Sequence, residues 1–138
     1  MSLPITLMYA GFFALFGMYL SARAGGFRGK SQISILYGDP VNMELAERVR
    51  VHQNFLEYVP IILILMGLIE ASGGSRWFLY IAGDLLIIAR IAHLIGLKHD
   101  NMAHVGRLIG AGGTFLITGA AGIYALWLGV PAVIASFQ

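Results

Sequence analysis

An all-α integral membrane protein, four transmembrane helices bundled in one domain (1–138), is the fold class that the sequence predicts. Three observations carry it. First, 58% of the 138 residues are hydrophobic and only 12% are charged, with a mean hydropathy of +0.78. Soluble domains carry about 25% charge, so this chain has too little polar surface to cover a soluble core. Second, four segments approach the roughly 20 apolar residues that a helix needs to cross the hydrocarbon. Third, basic residues gather at alternate connections. Backbone groups in lipid must bond within their own segment, which selects helices.

The predicted spans are about 3–20, 44–72, 77–97 and 105–128. The first is expected to be a retained helix and not a cleaved signal. "SARAG" offers an Ala22-x-Ala24 pattern, but no basic residue precedes the apolar run, which exceeds a usual signal core. The second span is predicted to be part of a longer helix. Asp39 is expected as its N-cap, with Pro40 at the first helical position. Gly73-Gly74 is expected to end it, and Ser75 to cap the third helix. A helix from Pro40 to Ser72 is about 50 Å long at about 1.5 Å per residue, against a hydrocarbon core of about 30 Å. Its N-terminal third therefore projects beyond the core, and Pro60 is expected to kink it. "ARAGGFRGKSQISILYGDP" is expected to be a long connection punctuated by glycine.

Arg23, Arg28, Lys30, Arg48 and Arg50 surround the first connection, and Lys98, Arg107 and Arg90 the third. The second has only Arg76, and neither terminus has a basic residue. The positive-inside rule places connections one and three in the cytoplasm and both termini on the non-cytoplasmic side. The net charge is only +2, so the basic residues read as orientation and not as a nucleic-acid surface.

"ERVRVHQNFLEY" (47–58) places costly groups at the mouth of the second span. At about 100° per residue, Glu47, Arg50, Asn54 and Glu57 fall within a sector of about 80°, with Tyr58 at its edge. Glu47 and Arg50 are expected to form an i, i+3 ion pair. Arg50, Asn54 and Glu57 together read as a binding face, since a carboxylate in a membrane usually faces a cavity or pathway. An arginine, an amide and a carboxylate suit a small zwitterionic ligand. In "GDLLIIARIAHLIG", Arg90 and His93 either reach that stripe or serve as a snorkelling arginine and a bundle histidine. Asp84 has no assigned partner and His52 no assigned role. Gly106 and Gly110 form a small-xxx-small pair for close helix packing.

Cysteine is absent, so any thiol chemistry needs a thiol from a ligand. No P-loop, dinucleotide fingerprint or H-E-x-x-H motif occurs, and no metal site is expected.

"RVHQNFLEYVP" resembles the signature of the MAPEG family, membrane-associated proteins in eicosanoid and glutathione metabolism. The family pattern Arg-x-x-x-Asn-x-x-Glu, followed by a proline, falls on Arg50, Asn54, Glu57 and Pro60. "ARIAH" (89–93) resembles the third helix of the family, and Arg107 an arginine that opens the fourth. The H-x-N-F-x-E-Y version resembles the bacterial branch, which implies a bacterial inner membrane. The resemblance implies a homotrimer that binds glutathione between subunits. Arg50 would hold a glutathione carboxylate, while Asn54, Glu57 and Tyr58 would bind its backbone or amino end. Arg90 and His93 would lie near the same pocket, Arg107 would face the sulfur as the catalytic residue, and Arg23 would reach toward the site. The implied partners are membrane lipids, glutathione as thiol co-substrate and a lipophilic electrophile, in a transferase with possible peroxidase activity. The alternative is a non-catalytic lipid- or glutathione-binding protein of the same fold. Leu97 stands where the animal enzymes carry a tyrosine, Arg50 follows Glu47-Arg48 one residue early, and the connection before Arg107 differs in length. These departures argue against leukotriene or prostaglandin synthesis.

Overall fold

The computed structural model describes residues 2–137 and is all-helical: α1 (Pro4–Ser31), α2 (Met43–Ala71), α3 (Arg76–Gly96) and α4 (Val105–Ala135). All four helices are long and apolar enough to cross a membrane. They run up, down, up and down. The start of α1 meets the end of α2, since the Ile5 and Thr6 amides donate to Glu70 at 3.0 and 2.8 Å. At the opposite end, Lys98 and His99 meet Glu47 near the start of α2.

Two boundaries differ from the predicted ones for physical reasons. α1 does not stop at residue 20 but continues through Gly25, Gly26 and Gly29 to Ser31. Each helical glycine costs about 1 kcal/mol relative to alanine. That cost is offset by burial of Leu20 and Ala24 and by the Arg48 guanidinium stacked on the Phe27 ring at 4.4 Å. Arg28 and Lys30 in the last turn favour the negative end of the helix. Gln32 then takes a left-handed conformation and returns its N–H to the Arg28 and Gly29 carbonyls. α2 begins at Met43 and not at Pro40. Asn42 is its N-cap and accepts from the Leu45 amide at 3.0 Å, while Asp39-Pro40 is a cis bond in the preceding turn.

The other end of α2 follows the predicted signals. Gly73 has a φ of 74°, and the Gly73 and Gly74 amides cap the last carbonyls of α2. Ser75 Oγ accepts from the Phe78 amide at 3.4 Å. α2 is continuous through Pro60, and α4 through Pro131, which takes α4 past the predicted limit of 128. At about 1.5 Å per residue, α1 and α2 each exceed 40 Å, so both outrun the roughly 30 Å hydrocarbon core.

The core is one apolar cluster in which Phe13 and Tyr9 of α1, Phe55, Ile62 and Met66 of α2, Leu79 and Leu86 of α3, and Ile117 of α4 interlock. α3 packs most extensively on α4, α1 on α2, and α2 on α4, whereas α2 and α3 touch sparsely. Glycines allow the α3–α4 approach. A Cβ on Gly96 would lie 2.2 Å from the Arg107 amide nitrogen, and one on Gly110 would lie 2.4 Å from His93 Cβ. The small-xxx-small pair thus works as expected, inside the chain.

Candidate functional site

The polar stripe of α2 comes from its helical period. Arg50 and Glu57 are seven residues apart, about 20° in azimuth, whereas Glu47 and Arg50 are about 60° apart. The arginine accordingly turns along the stripe, and its Nη1 donates to Glu57 Oε1 at 2.8 Å. The expected Glu47–Arg50 pair does not form. Glu47 instead accepts from the His99 amide at 2.9 Å, contacts His99 Nδ1 at 2.7 Å and takes Lys98 Nζ at 3.3 Å. It fastens α2 to the connection before α4. Glu47, His99 and Asp100 have ligand-type atoms within 4.8 Å of one another. The Glu47 oxygens already hold N–H donors and an ammonium, which stands where a cation would.

Asn54 lies two turns beyond Glu47 on nearly the same line of α2. Its Oδ1 accepts from Arg90 Nη1 at 2.9 Å. Arg90 does not snorkel: it is only 3% exposed. Its Nη2 donates to the Gly110 carbonyl at 2.8 Å and to Thr114 Oγ1, which in turn donates to the Gly110 carbonyl at 2.7 Å. Among the described residues, no carboxylate pairs with Arg90, and its Nε has no partner. A buried cation without an anion is expensive. A cleft of about 360 Å³ opens beside it, lined by Asn54, Tyr58, Arg90, Ala111, Gly112, Thr114 and Phe115. Tyr58 offers a half-exposed phenol at the rim.

His93 packs against Gly110 and is 5% exposed, and among the described residues neither ring nitrogen is hydrogen-bonded. A bundle histidine would have its ring nitrogens bonded to neighbouring helices, and His93 does not. Arg90, Arg107 and Arg50 share its electrostatic surroundings. Arg107 itself is half-buried, and its side chain has no hydrogen bond or ion pair among the described residues. It stands one turn from Ala111 on the same face of α4, just beyond the cleft edge.

The chain thus brings Asn54, Tyr58 and Arg90 together, with Arg50 and Glu57 along the same stripe and His93 and Arg107 behind. It does not bring Arg23 there: Arg23 lines a separate cleft with Lys30 and Arg48. Asp84 finds a hydroxyl, accepting from Tyr9 at 2.7 Å. Sequence reasoning missed Thr114. The available signal was its place four residues after Gly110, extending the Gly106–Gly110 row of small residues on the face that meets α3.

Comparison with known proteins shows the family. The model of the MAPEG family matches residues 6–127. The chain is 34% identical over 95 residues to "Inner membrane protein YecN" of Escherichia coli (strain K12), covering 69% of this chain and 71% of that one. The protein of the same name from Escherichia coli O6:H1 (strain CFT073) matches to the same extent. No solved structure matches the chain.

Proposed function

The chain belongs to the MAPEG family, and from that premise we propose a multi-pass inner-membrane protein that binds glutathione and activates its thiol against lipophilic electrophiles. The observation that carries this reading is the buried Arg90. It lines a cleft and, among the described residues, donates only to neutral acceptors and has no carboxylate partner. A ligand carboxylate supplies the missing anion, and charge-assisted bonds of this kind are the strong ones. Asn54 and Tyr58 add an amide and a phenol at hydrogen-bonding positions on the same wall. The Arg50–Glu57 pair is half-exposed at both partners and offers an exchangeable cation and anion to a zwitterion.

The chemistry follows from Arg107. An ordinary thiol has a pKa of about 8.5 and is mostly protonated at neutral pH. A guanidinium cannot lose its proton and favours the thiolate. The thiolate sulfur then forms a bond to the electrophilic carbon, whose leaving group departs with the bonding pair. With a hydroperoxide, it attacks the terminal peroxide oxygen, the O–O bond breaks, the alkoxide leaves and takes a proton from water as the alcohol, and the resulting sulfenic acid condenses with a second glutathione to give the disulfide and water. A homotrimer would set the open faces of α1 and α4 against neighbours and enclose the cleft. The gathering of basic residues at one end supports a cytoplasmic placement of that end, with both termini on the other side.

The test is a titration of the purified protein with glutathione and with its glycine monoester, which lacks one carboxylate. Saturable glutathione binding, weakened at least about tenfold by esterification, is expected from loss of one charge-assisted bond. Equal affinity for the ester would remove the glycine carboxylate from Arg90, and absence of glutathione binding would end the proposal.

A further inference from the structure

Two polar ties join α2 to the hairpin of α3 and α4. The inner one runs from Asn54 Oδ1 through the Arg90 guanidinium to the Gly110 carbonyl and belongs to the glutathione cleft. The outer one is Glu47, to which the glutathione reading gives no role. One Glu47 oxygen accepts from the His99 amide at 2.9 Å and lies 2.7 Å from His99 Nδ1, and the other takes Lys98 Nζ at 3.3 Å. An ionised carboxylate only accepts, so Nδ1 carries the proton. The Glu47 side chain is 13% exposed, which shields these acceptors from most competing water.

The hairpin end that Glu47 holds is stiff. Leu97 returns its amide to the His93 carbonyl at 3.0 Å, and His104 Nδ1 accepts from the Gly106 amide at 3.1 Å. The Arg107 amide donates to the His104 carbonyl at 2.9 Å. A Cβ on Gly106 would lie 2.7 Å from the Ala92 carbonyl oxygen, so the backbones of α3 and α4 are in direct contact there. The end of α3, the connection and the first turn of α4 therefore move as one piece, which α3 itself anchors only sparsely to α2. Arg107 stands between the two ties. It lies three residues, about 4.5 Å, outward of Gly110, whereas Glu47 lies seven residues, about 10 Å, outward of Asn54. One tie is a pivot; two ties fix the angle between α2 and the hairpin.

We propose that Glu47 is a positioning residue: through His99 and Lys98 it fixes the Arg107 guanidinium against the sulfur of a glutathione held by α2. The proposal rests on the glutathione reading above and deepens it. Glu47 does not line the Arg90 cleft, so it acts on the thiol and not on affinity. The sign of the effect separates position from field. Glu47 is an anion near Arg107, and removal of an anion by itself favours a thiolate. Loss of the tie works the other way, because it lets Arg107 swing from the sulfur.

The experiment follows the thiolate absorbance of glutathione bound to the purified full-length protein against pH, with affinity from calorimetric titration. Glu47→Asp keeps the charge but is shorter by about 1.5 Å, so it loses its reach to His99. Glu47→Gln loses the charge but keeps the reach and an acceptor oxygen. Moving a guanidinium from about 4 to about 6 Å of a thiolate, at an effective dielectric constant of about 20, weakens its effect about tenfold, or about one pH unit in the thiolate midpoint. Glu47→Asp is expected to raise the midpoint by about that unit with glutathione affinity unchanged. Glu47→Gln is expected to leave the midpoint in place or to lower it. Without glutathione, hydrogen exchange over residues 97–108 is expected to be faster in Glu47→Asp than in the wild type. An unmoved midpoint or unmoved exchange in Glu47→Asp, or an equal rise of the midpoint in both variants, would overturn the proposal. Lost affinity in Glu47→Asp would overturn it too, by assigning Glu47 to binding. These outcomes leave the glutathione reading standing, whereas a wild type that binds glutathione with no thiolate signal would end thiol activation and this proposal together.

Discussion

The two ends of this bundle use polar groups in opposite ways. Toward the end that holds the termini, the carboxylates Glu70 and Asp84 are matched within the chain. Glu70 caps α1 through the Ile5 and Thr6 amides, Asp84 accepts from Tyr9, and the Tyr124 hydroxyl accepts from the Ser75 amide at 2.8 Å. At the basic end, among the described residues, Arg90 is buried with neutral acceptors only, and both His93 ring nitrogens lack partners. Polar groups that a membrane protein satisfies internally hold its helices together. Groups that it buries and leaves open mark where something else binds. Glu47 shows that the division follows saturation and not mere location: it lies at the basic end, is filled by Lys98 and His99, and ties helices.

Substitutions at each end sharpen the contrast. The largest expected effect is structural. Gly110→Ala places a Cβ 2.4 Å from His93 Cβ, with backbone atoms of His93 close behind. Overpacking of this kind costs about 1–3 kcal/mol. Both the unfolding temperature and glutathione affinity are expected to fall, because the same contact positions the Gly110 carbonyl on Arg90. Retained affinity alongside lost stability would separate the packing from the site. Glu70→Ala removes two amide acceptors from the start of α1, which has no side-chain cap of its own. A lost N-cap costs about 0.5–2 kcal/mol. Thermal unfolding in detergent is expected to show that loss, with glutathione affinity intact; an equal loss of affinity would dissolve the distinction between the ends.

Glu57→Gln tests the opposite combination. It removes a half-exposed carboxylate from Arg50, so stability is expected to change by under about 1 kcal/mol, the usual worth of an exposed pair. Glutathione affinity is expected to fall, by about tenfold for one charge-assisted bond. Unchanged affinity in calorimetric titration would remove Glu57 from the site. The smallest effect belongs to Tyr9→Phe, which takes one hydroxyl from Asp84. About 1 kcal/mol of stability is expected to be lost, with no change in binding.

Much of the arrangement was legible in the sequence. The helical period put Arg50, Asn54 and Glu57 on one face, and apolar length marked four helices. The turn from Gly73 to Ser75 could be read directly, because its residue types have specific backbone roles. What stayed hidden depends on partners from other helices. Three glycines disguised the last third of α1 as a connection, since the packing that keeps it helical comes from Arg48 on α2. Glu47 and Arg50 looked like a pair by spacing, but azimuth gave Arg50 to Glu57, and a connection some 50 residues away in the chain supplied the partners of Glu47. Arg90 offered two readings until Gly110 and Thr114 were seen to draw it inward. Periodicity tells which face a residue occupies, not which helix that face meets.

The most direct test of the central claim, that the open polar end activates glutathione, is the ultraviolet difference spectrum of the purified protein on adding glutathione at neutral pH, compared with that of Arg107→Ala. A thiolate absorbance in the wild type that vanishes in the variant, while glutathione remains bound, is the predicted result. Binding with no thiolate signal in the wild type, or a signal untouched by the substitution, would contradict the account.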